Sequence, residues 1–369
     1  MPDTRALVLV TFFAAVVGFF IGSLAYSRAR GACKNTGGEK RIAKFTQLVQ
    51  LPVSSVIFIV GLYEYLTNRN KFATLLDLRL EAVSGDLGIS AVSLNFFYFA
   101  QAFVLLLGFS DGLRGRVSRV SVAMALGGLI FHNLSVGGRI NLVVAPVLYI
   151  IPSLIMASQR PDWIKVGKPA YRRIALLGMV VVIGGFAMIQ LLRSAVLDFS
   201  KVSSPVDFLV NVVFAIPMYV SDTLISVTIH SSFARDADMP FGYFTFDAFY
   251  RLFSSNLHLN LPDPNTVFGH KYFRDTPNPW AWTQTNMIPR LISDFGSLYW
   301  LAMVPISAIA QWLSLYRFKI NFFGVALRSL IIFSSAYSIL GIPWFTAFNV
   351  YVLFYAMILY FLSIVQIRK

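Results

Sequence analysis

A set of arginines, Arg139, Arg193, Arg235, Arg251 and Arg290, offers the clearest capacity for chemistry in this chain. A guanidinium is a planar, permanently charged fork that fits phosphate oxygens, and it can neutralise a departing diphosphate without a metal ion. Arg139 follows Gly137 and Gly138, whose freedom lets the backbone turn tightly and approach a ligand closely. Arg290 follows Pro289 and stands four residues before Asp294, a spacing that serves an ion pair at a helix start as well as a substrate contact. Arg193 and Arg251 fit ordinary snorkelling to a membrane interface equally well.

Proton chemistry has fewer candidates. Asp294, Asp247, His270 and His258 could each accept a proton from a hydroxyl, and their order in the sequence does not rank them. His230, His258 and His270 are too widely spaced for a helical metal-binding pair. Asp236-Ala-Asp238 has the spacing of a metal-binding acidic pair, yet two such residues on a polar loop are ordinarily just solvated. The chain has no phosphate loop, no dinucleotide glycine fingerprint and no nucleophile elbow, which disfavours a soluble-type ATPase or hydrolase.

The elements that must position these residues are membrane spans. Of 369 residues 57% are apolar and only 13% charged, about half the charge of a soluble domain. This predicts an all-α polytopic integral membrane protein, one domain over residues 1–369, with room for about nine to eleven helices. Its net charge of +14 does not point to nucleic acid, because the basic residues cluster in short links where they set membrane orientation. The single Cys33 makes no internal disulfide and identifies no redox compartment.

Nine spans satisfy the charge rule. Residues 6–26, 46–66, 88–109, 120–135, 140–157 and 174–192 precede a large loop, and 297–316, 322–341 and 344–367 follow it. Residues 6–26 lack a convincing signal-cleavage pattern and are expected to stay as a helix. Links bearing Arg28 to Lys44, Arg114 to Arg119, Arg160 to Arg173, and Arg317 with Lys319 fall on the cytoplasmic side. The Gly138-Arg139 hairpin and the loop over residues 194–295 then fall outside. Within that loop, residues 206–230 tempt a tenth span, but Pro205, Asp207, Asn211, Pro217 and Asp222 interrupt them. A re-entrant or interfacial helix pair is expected there. Tyr243, Trp280 and Trp282 suit either an interfacial aromatic belt or platforms for sugar rings.

Three patches carry a resemblance. Leu134-Ser-Val-Gly-Gly-Arg139-Ile140, Pro240-Phe-Gly-Tyr243-Phe-Thr-Phe246 and Pro289-Arg290-Leu-Ile-Ser-Asp294-Phe295-Gly296 look like corresponding stretches of the Wzy-type oligosaccharide repeat-unit polymerases of O-antigen, capsule and exopolysaccharide assembly. The order of features is similar too: a Gly-Arg hairpin, a large outer loop, then Asp-Phe-Gly entering a late span. The resemblance covers residues 134–369, and the first third shares only general hydropathy. One departure is Tyr299, where many members have glycine.

The resemblance implies a GT-C-like membrane glycosyltransferase, metal-independent and without a cofactor, in the bacterial inner membrane with its active site facing the periplasm. Its substrates would be undecaprenyl-diphosphate-linked oligosaccharides, drawn from among membrane lipids, and a chain-length regulator, a flippase and a ligase would attend it. Arg139 and Arg290 would stabilise the diphosphate, with Asp294 and His270 as further catalytic residues. Arg235, Arg251, Gly138, Tyr243, Trp280 and Trp282 would bind substrate. The alternatives are an O-antigen ligase, which shares the plan but uses a lipid A core as acceptor, and a lipid-linked oligosaccharide flippase. A flippase should carry charges inside its spans, and here Glu64 and Arg328 are among the few. A membrane acyltransferase is a third alternative, yet no His-Asp pair at helical spacing presents itself in a span, and the polar, proline-punctuated loop speaks mildly against a purely structural role.

Overall fold

The computed structural model describes residues 4–28, 39–69, 91–136, 141–158, 250, 287–315, 321–337 and 347–365. Among these there are helices and no strands. The helices are α1 (Thr4–Arg28), α2 (Glu39–Arg69), α3 (Ala91–Arg114), α4 (Arg119–Leu134), α5 (Asn141–Ala157), α6 (Met287–Phe295), α7 (Tyr299–Leu315), α8 (Phe322–Tyr337) and α9 (Ala347–Val365). A 3-10 turn, Gly296–Leu298, joins α6 to α7.

Four stretches, Arg41–Asn68, Val92–Arg114, Arg290–Leu313 and Phe348–Val365, are long and apolar enough to cross a membrane. Phe12, Phe13 and Phe20 of α1 and Leu48, Ile59 and Tyr63 of α2 point outward, each more than 60% exposed. A soluble surface rarely exposes so many large apolar groups, whereas hydrocarbon accepts them. Inside the helices, hydroxyls bond back to the preceding turn, as Thr46 does to Ile42 O (2.8 Å), Ser307 to Met303 O (2.7 Å) and Ser329 to Val325 O (2.7 Å). That satisfies polar atoms where no water is at hand.

Helix α3 is the central post, with Ala102, Phe103, Leu105, Leu106, Leu107 and Phe109 fully buried. It packs against α2, α4, α5, α8 and α9. A second, smaller core joins Ala14 of α1 to Leu291 and Ile292 of α6, Met303 and Ile306 of α7, and Ile331 of α8.

Contacts along the helices fix their directions. Ser55, Gly61 and Glu64 of α2 meet Met124, Gly128 and His132 of α4 in ascending order, so the two run parallel. Gly108 and Gly112 of α3 lie against Tyr149 and Ser153 of α5, also parallel. Glu64 near Ser93 and Gln50 near Arg114 make α3 antiparallel to α2. Gly18 and Gly22 of α1 lie against Ser307 and Gln311 of α7, again parallel. Phe322 at the start of α8 stacks edge-on at 5.6 Å with Phe109 near the end of α3. Helix α7 therefore runs in the same sense as α3 and α5, and α5 ends at the opposite end of the bundle from the start of α6.

Three boundaries differ from the sequence expectation. Helix α2 begins at Glu39, so Lys40, Arg41 and Lys44 ride on its first turns instead of in a link. Helix α3 runs on to Arg114, past the expected end at Phe109, because Asp111 and Arg114 pair at 2.5 Å and neither needs to leave the helix to reach water. The helix carrying Arg290 begins at Met287, ten residues before the span expected from Ser297. Pro289 lies in its first turn, where its missing N–H costs no helical hydrogen bond. The expected span 174–192 and the re-entrant pair at 206–230, with most of the 194–295 loop, lie outside the described residues.

Candidate functional site

Of the catalytic and substrate-binding residues expected from the resemblance, the structure describes Arg290 and Asp294. Gly138, Arg139, Arg235, Tyr243, Arg251, His270, Trp280 and Trp282 lie outside the described residues, as do Asp247 and His258. Arg290 and Asp294 sit one turn apart on α6, which is a separate short helix and not the first turn of the following span. Its apolar residues Leu291 (0% exposed) and Ile292 (4%) dock on α1 and α7, and this docking carries Arg290 down to 8% exposure.

The break after α6 has a local cause. Gly296 adopts φ +56°, a left-handed conformation that stops a helix and that glycine adopts without steric cost. The chain then makes one 3-10 turn and restarts at Tyr299. The Asp-Phe-Gly stretch thus marks a break between a short helix with a buried cation and an apolar span.

A second polar group, which the sequence analysis did not assemble, lies between α2, α3 and α4. The Glu64 carboxylate meets Nδ1 of His132 through one oxygen and accepts a hydrogen bond from Ser93 Oγ at 2.5 Å through the other. Phe97 stacks on the imidazole with ring centroids 4.5 Å apart and planes at 26°. One turn further on, Asn68 Nδ2 donates to Ser135 O at 3.2 Å. Glu64 had stood out as a rare charge in a span, but its partner is 68 positions away and becomes legible only through the parallel packing of α2 and α4.

A carboxylate at Nδ1 selects the tautomer with hydrogen on that nitrogen and leaves the Nε2 lone pair available. His132 Nε2 makes no hydrogen bond to any described residue, and 11% of the side chain is exposed. The arrangement can bind and release a proton.

At the other end of the same three helices, Asp111 is fully buried and fully occupied. It accepts from Arg114 (2.5 Å), Ser118 N (2.8 Å) and Tyr149 OH (3.0 Å); the single Ser118 hydroxyl proton is shared between Asp111 (2.8 Å) and Gln50 (3.0 Å), and Gln50 also accepts from Arg114. This network ties α2, α3 and α5 to the short Gly115–Ser118 link. With its partners satisfied, it serves as a structural clasp. Among the described residues no three His, Cys, Asp or Glu side chains come together as a metal site.

No family model matches the chain, and neither a curated protein nor a solved structure matches it.

Proposed function

We propose that the protein is a membrane glycosyltransferase that joins oligosaccharide repeat units carried on a polyprenyl diphosphate at the outer face of a bacterial inner membrane, with a GT-C-like arrangement of about nine spans. The observation that carries this reading is α6: a buried arginine, one turn from a carboxylate, on a short helix set off from an apolar span at Gly296. A cation held at the end of an apolar helix suits a ligand whose charged diphosphate sits at the interface while its tail lies in lipid. The resemblance of the stretch 289–296 to repeat-unit polymerases supplies the chemistry.

In that reaction a hydroxyl of the incoming unit attacks the anomeric carbon that joins the growing chain to its diphosphate. The carbon–oxygen bond to phosphorus breaks and its electron pair leaves with the diphosphate. Fixed cations stabilise the charge developing there. Arg139 and Arg290 are assigned to the departing diphosphate. Arg235, Arg251, Tyr243, Trp280 and Trp282 are assigned to the glycan from the outer loop. The direction of the helices supports the orientation: the ends of α2, α3 and α4 near Gln50 and Arg114 gather Lys40, Arg41, Lys44, Arg116 and Arg119, the positive cluster expected inside.

The test is a product gel from the full chain in liposomes, supplied with a lipid-diphosphate-linked repeat unit and no divalent metal. A ladder spaced by one repeat is expected. Transbilayer movement of the oligosaccharide without joining would overturn the reading in favour of a flippase, and a single transfer to lipid A core in favour of a ligase.

A further inference from the structure

We propose that His132 is the proton acceptor for the attacking hydroxyl, with Glu64 as its positioning partner; the assignment rests on the polymerase reading above. Three side chains from two neighbouring helices hold the imidazole. Glu64 of α2 engages Nδ1, Ser93 of α3 fixes the far oxygen of that carboxylate at 2.5 Å, and Phe97 of α3 covers the ring face at 4.5 Å. The remaining nitrogen, Nε2, makes no hydrogen bond to any described residue. A ring fixed firmly at one nitrogen, with the other making no hydrogen bond to a described residue, is built to exchange a proton.

The bland reading is a buried ion pair that stabilises the bundle. A pair of this kind contributes little net stability, because removing two charges from water costs about as much as their attraction returns. Small side chains at 64, 93 and 132 would hold the helices at no such cost. Unlike the Asp111 clasp, whose partners are satisfied, this pair leaves one ring nitrogen without a hydrogen bond to any described residue, and an ionisable pair of that kind within a span points to function. The position agrees: the dyad lies at the end of α4 away from Arg116 and Arg119.

The acceptor oxygen forms its bond to the anomeric carbon, the bond from that carbon to the diphosphate oxygen breaks, and the hydroxyl proton moves to Nε2. Glu64 stabilises the resulting imidazolium. The proton then passes to water or to the released diphosphate, and the neutral ring is restored.

The experiment uses the full chain in liposomes with the lipid-diphosphate-linked repeat unit, with and without azide. Azide can attack the anomeric carbon but has no proton to lose. His132→Gln should slow repeat addition by roughly 10²–10⁴-fold, and Glu64→Gln by roughly 10–100-fold. Both variants should still release glycosyl azide from the donor within a few-fold of the unsubstituted rate. Normal repeat addition by His132→Gln would overturn the assignment and leave the polymerase reading intact. Loss of the azide reaction together with repeat addition would overturn it as well, by showing a role in folding or donor binding. If His132→Gln does not reach the membrane, Glu64→Gln decides on the same two readouts. A protein without substitutions that makes no ladder would overturn the polymerase reading and this role with it.

Discussion

Gly61 and Gly128 bring α2 and α4 into backbone contact: a Cβ on Gly61 would lie 2.1 Å from the carbonyl oxygen of Gly128. Paired glycines let parallel helices approach this closely in lipid, where packing replaces the hydrophobic effect as the cohesive term. The contact also sets the register. Three residues on from Gly61 and four on from Gly128 stand Glu64 and His132, which meet because the glycines do.

Gly61→Ala and Gly128→Ala should each destabilise the protein by about 1–3 kcal/mol, since the new methyl meets backbone and forces the helices apart. The double variant should cost less than the sum, because one separation relieves both clashes. Gly127→Ala is the control. Its Cβ would meet only the ring of Phe58, at 3.2 Å, and that side chain can yield. Thermal melts in detergent followed by tryptophan fluorescence measure all four, and a Gly127→Ala loss equal to that of Gly128→Ala would contradict the close-contact account.

Asp111 should be the most sensitive charged position in the bundle. Asp111→Ala removes the buried acceptor shared by Arg114, the Ser118 N–H and the Tyr149 hydroxyl, and should cost about 3–5 kcal/mol, as removal of one partner of a buried pair does. Tyr149→Phe removes a single hydrogen bond to the carboxylate and should cost about 1.5–3 kcal/mol. The same melts rank them, and a Tyr149→Phe loss as large as that of Asp111→Ala would mean that the clasp is held chiefly by the phenol.

These two networks also mark how far the sequence could be read. Helix content, the apolar spans and the charge of the links follow from composition and period, because a 20-residue apolar run has few other fates. The end of α3 did not follow, since Asp111 and Arg114 look like loop charges until their pairing is seen. The site was legible in part. Arg290 could be picked out by its neighbours Pro289 and Asp294, whereas its burial depends on α6 docking against α1, from the far end of the chain. His132 gave no local signal at all: its carboxylate comes from another helix, and only the glycine contact brings that helix into line.

Gly296 should tolerate little substitution despite open space around it. No atom lies within 4 Å of a Cβ built there, so the obstacle to Gly296→Ala is its φ of +56° alone. That strain costs about 1–2 kcal/mol. Gly296→Asn should lose less, because asparagine enters the left-handed region more readily. Melting temperatures in the order glycine, asparagine, alanine are expected; alanine equal to glycine would mean that the break is not held in this conformation.

Arg139→Ala should lower repeat addition much more than it lowers the amount of protein in the membrane. Quantifying the ladder against protein detected by immunoblot checks this, and normal extension by Arg139→Ala would remove the residue from the site.

Arg290 separates charge from geometry. On α6 it is 8% exposed and flanked by docked apolar residues, so its guanidinium has few orientations available. If it grips a diphosphate with two parallel N–H bonds, Arg290→Ala should lower turnover by roughly 10²–10³-fold, the usual effect of losing one preorganised donor to a developing anion. Arg290→Lys keeps the charge but offers a single ammonium point, and it should recover only part of that loss. Turnover of both variants in liposomes, normalised to folded protein, gives the comparison. Full activity with lysine would show that position 290 supplies charge alone, and full activity with alanine would place the diphosphate elsewhere.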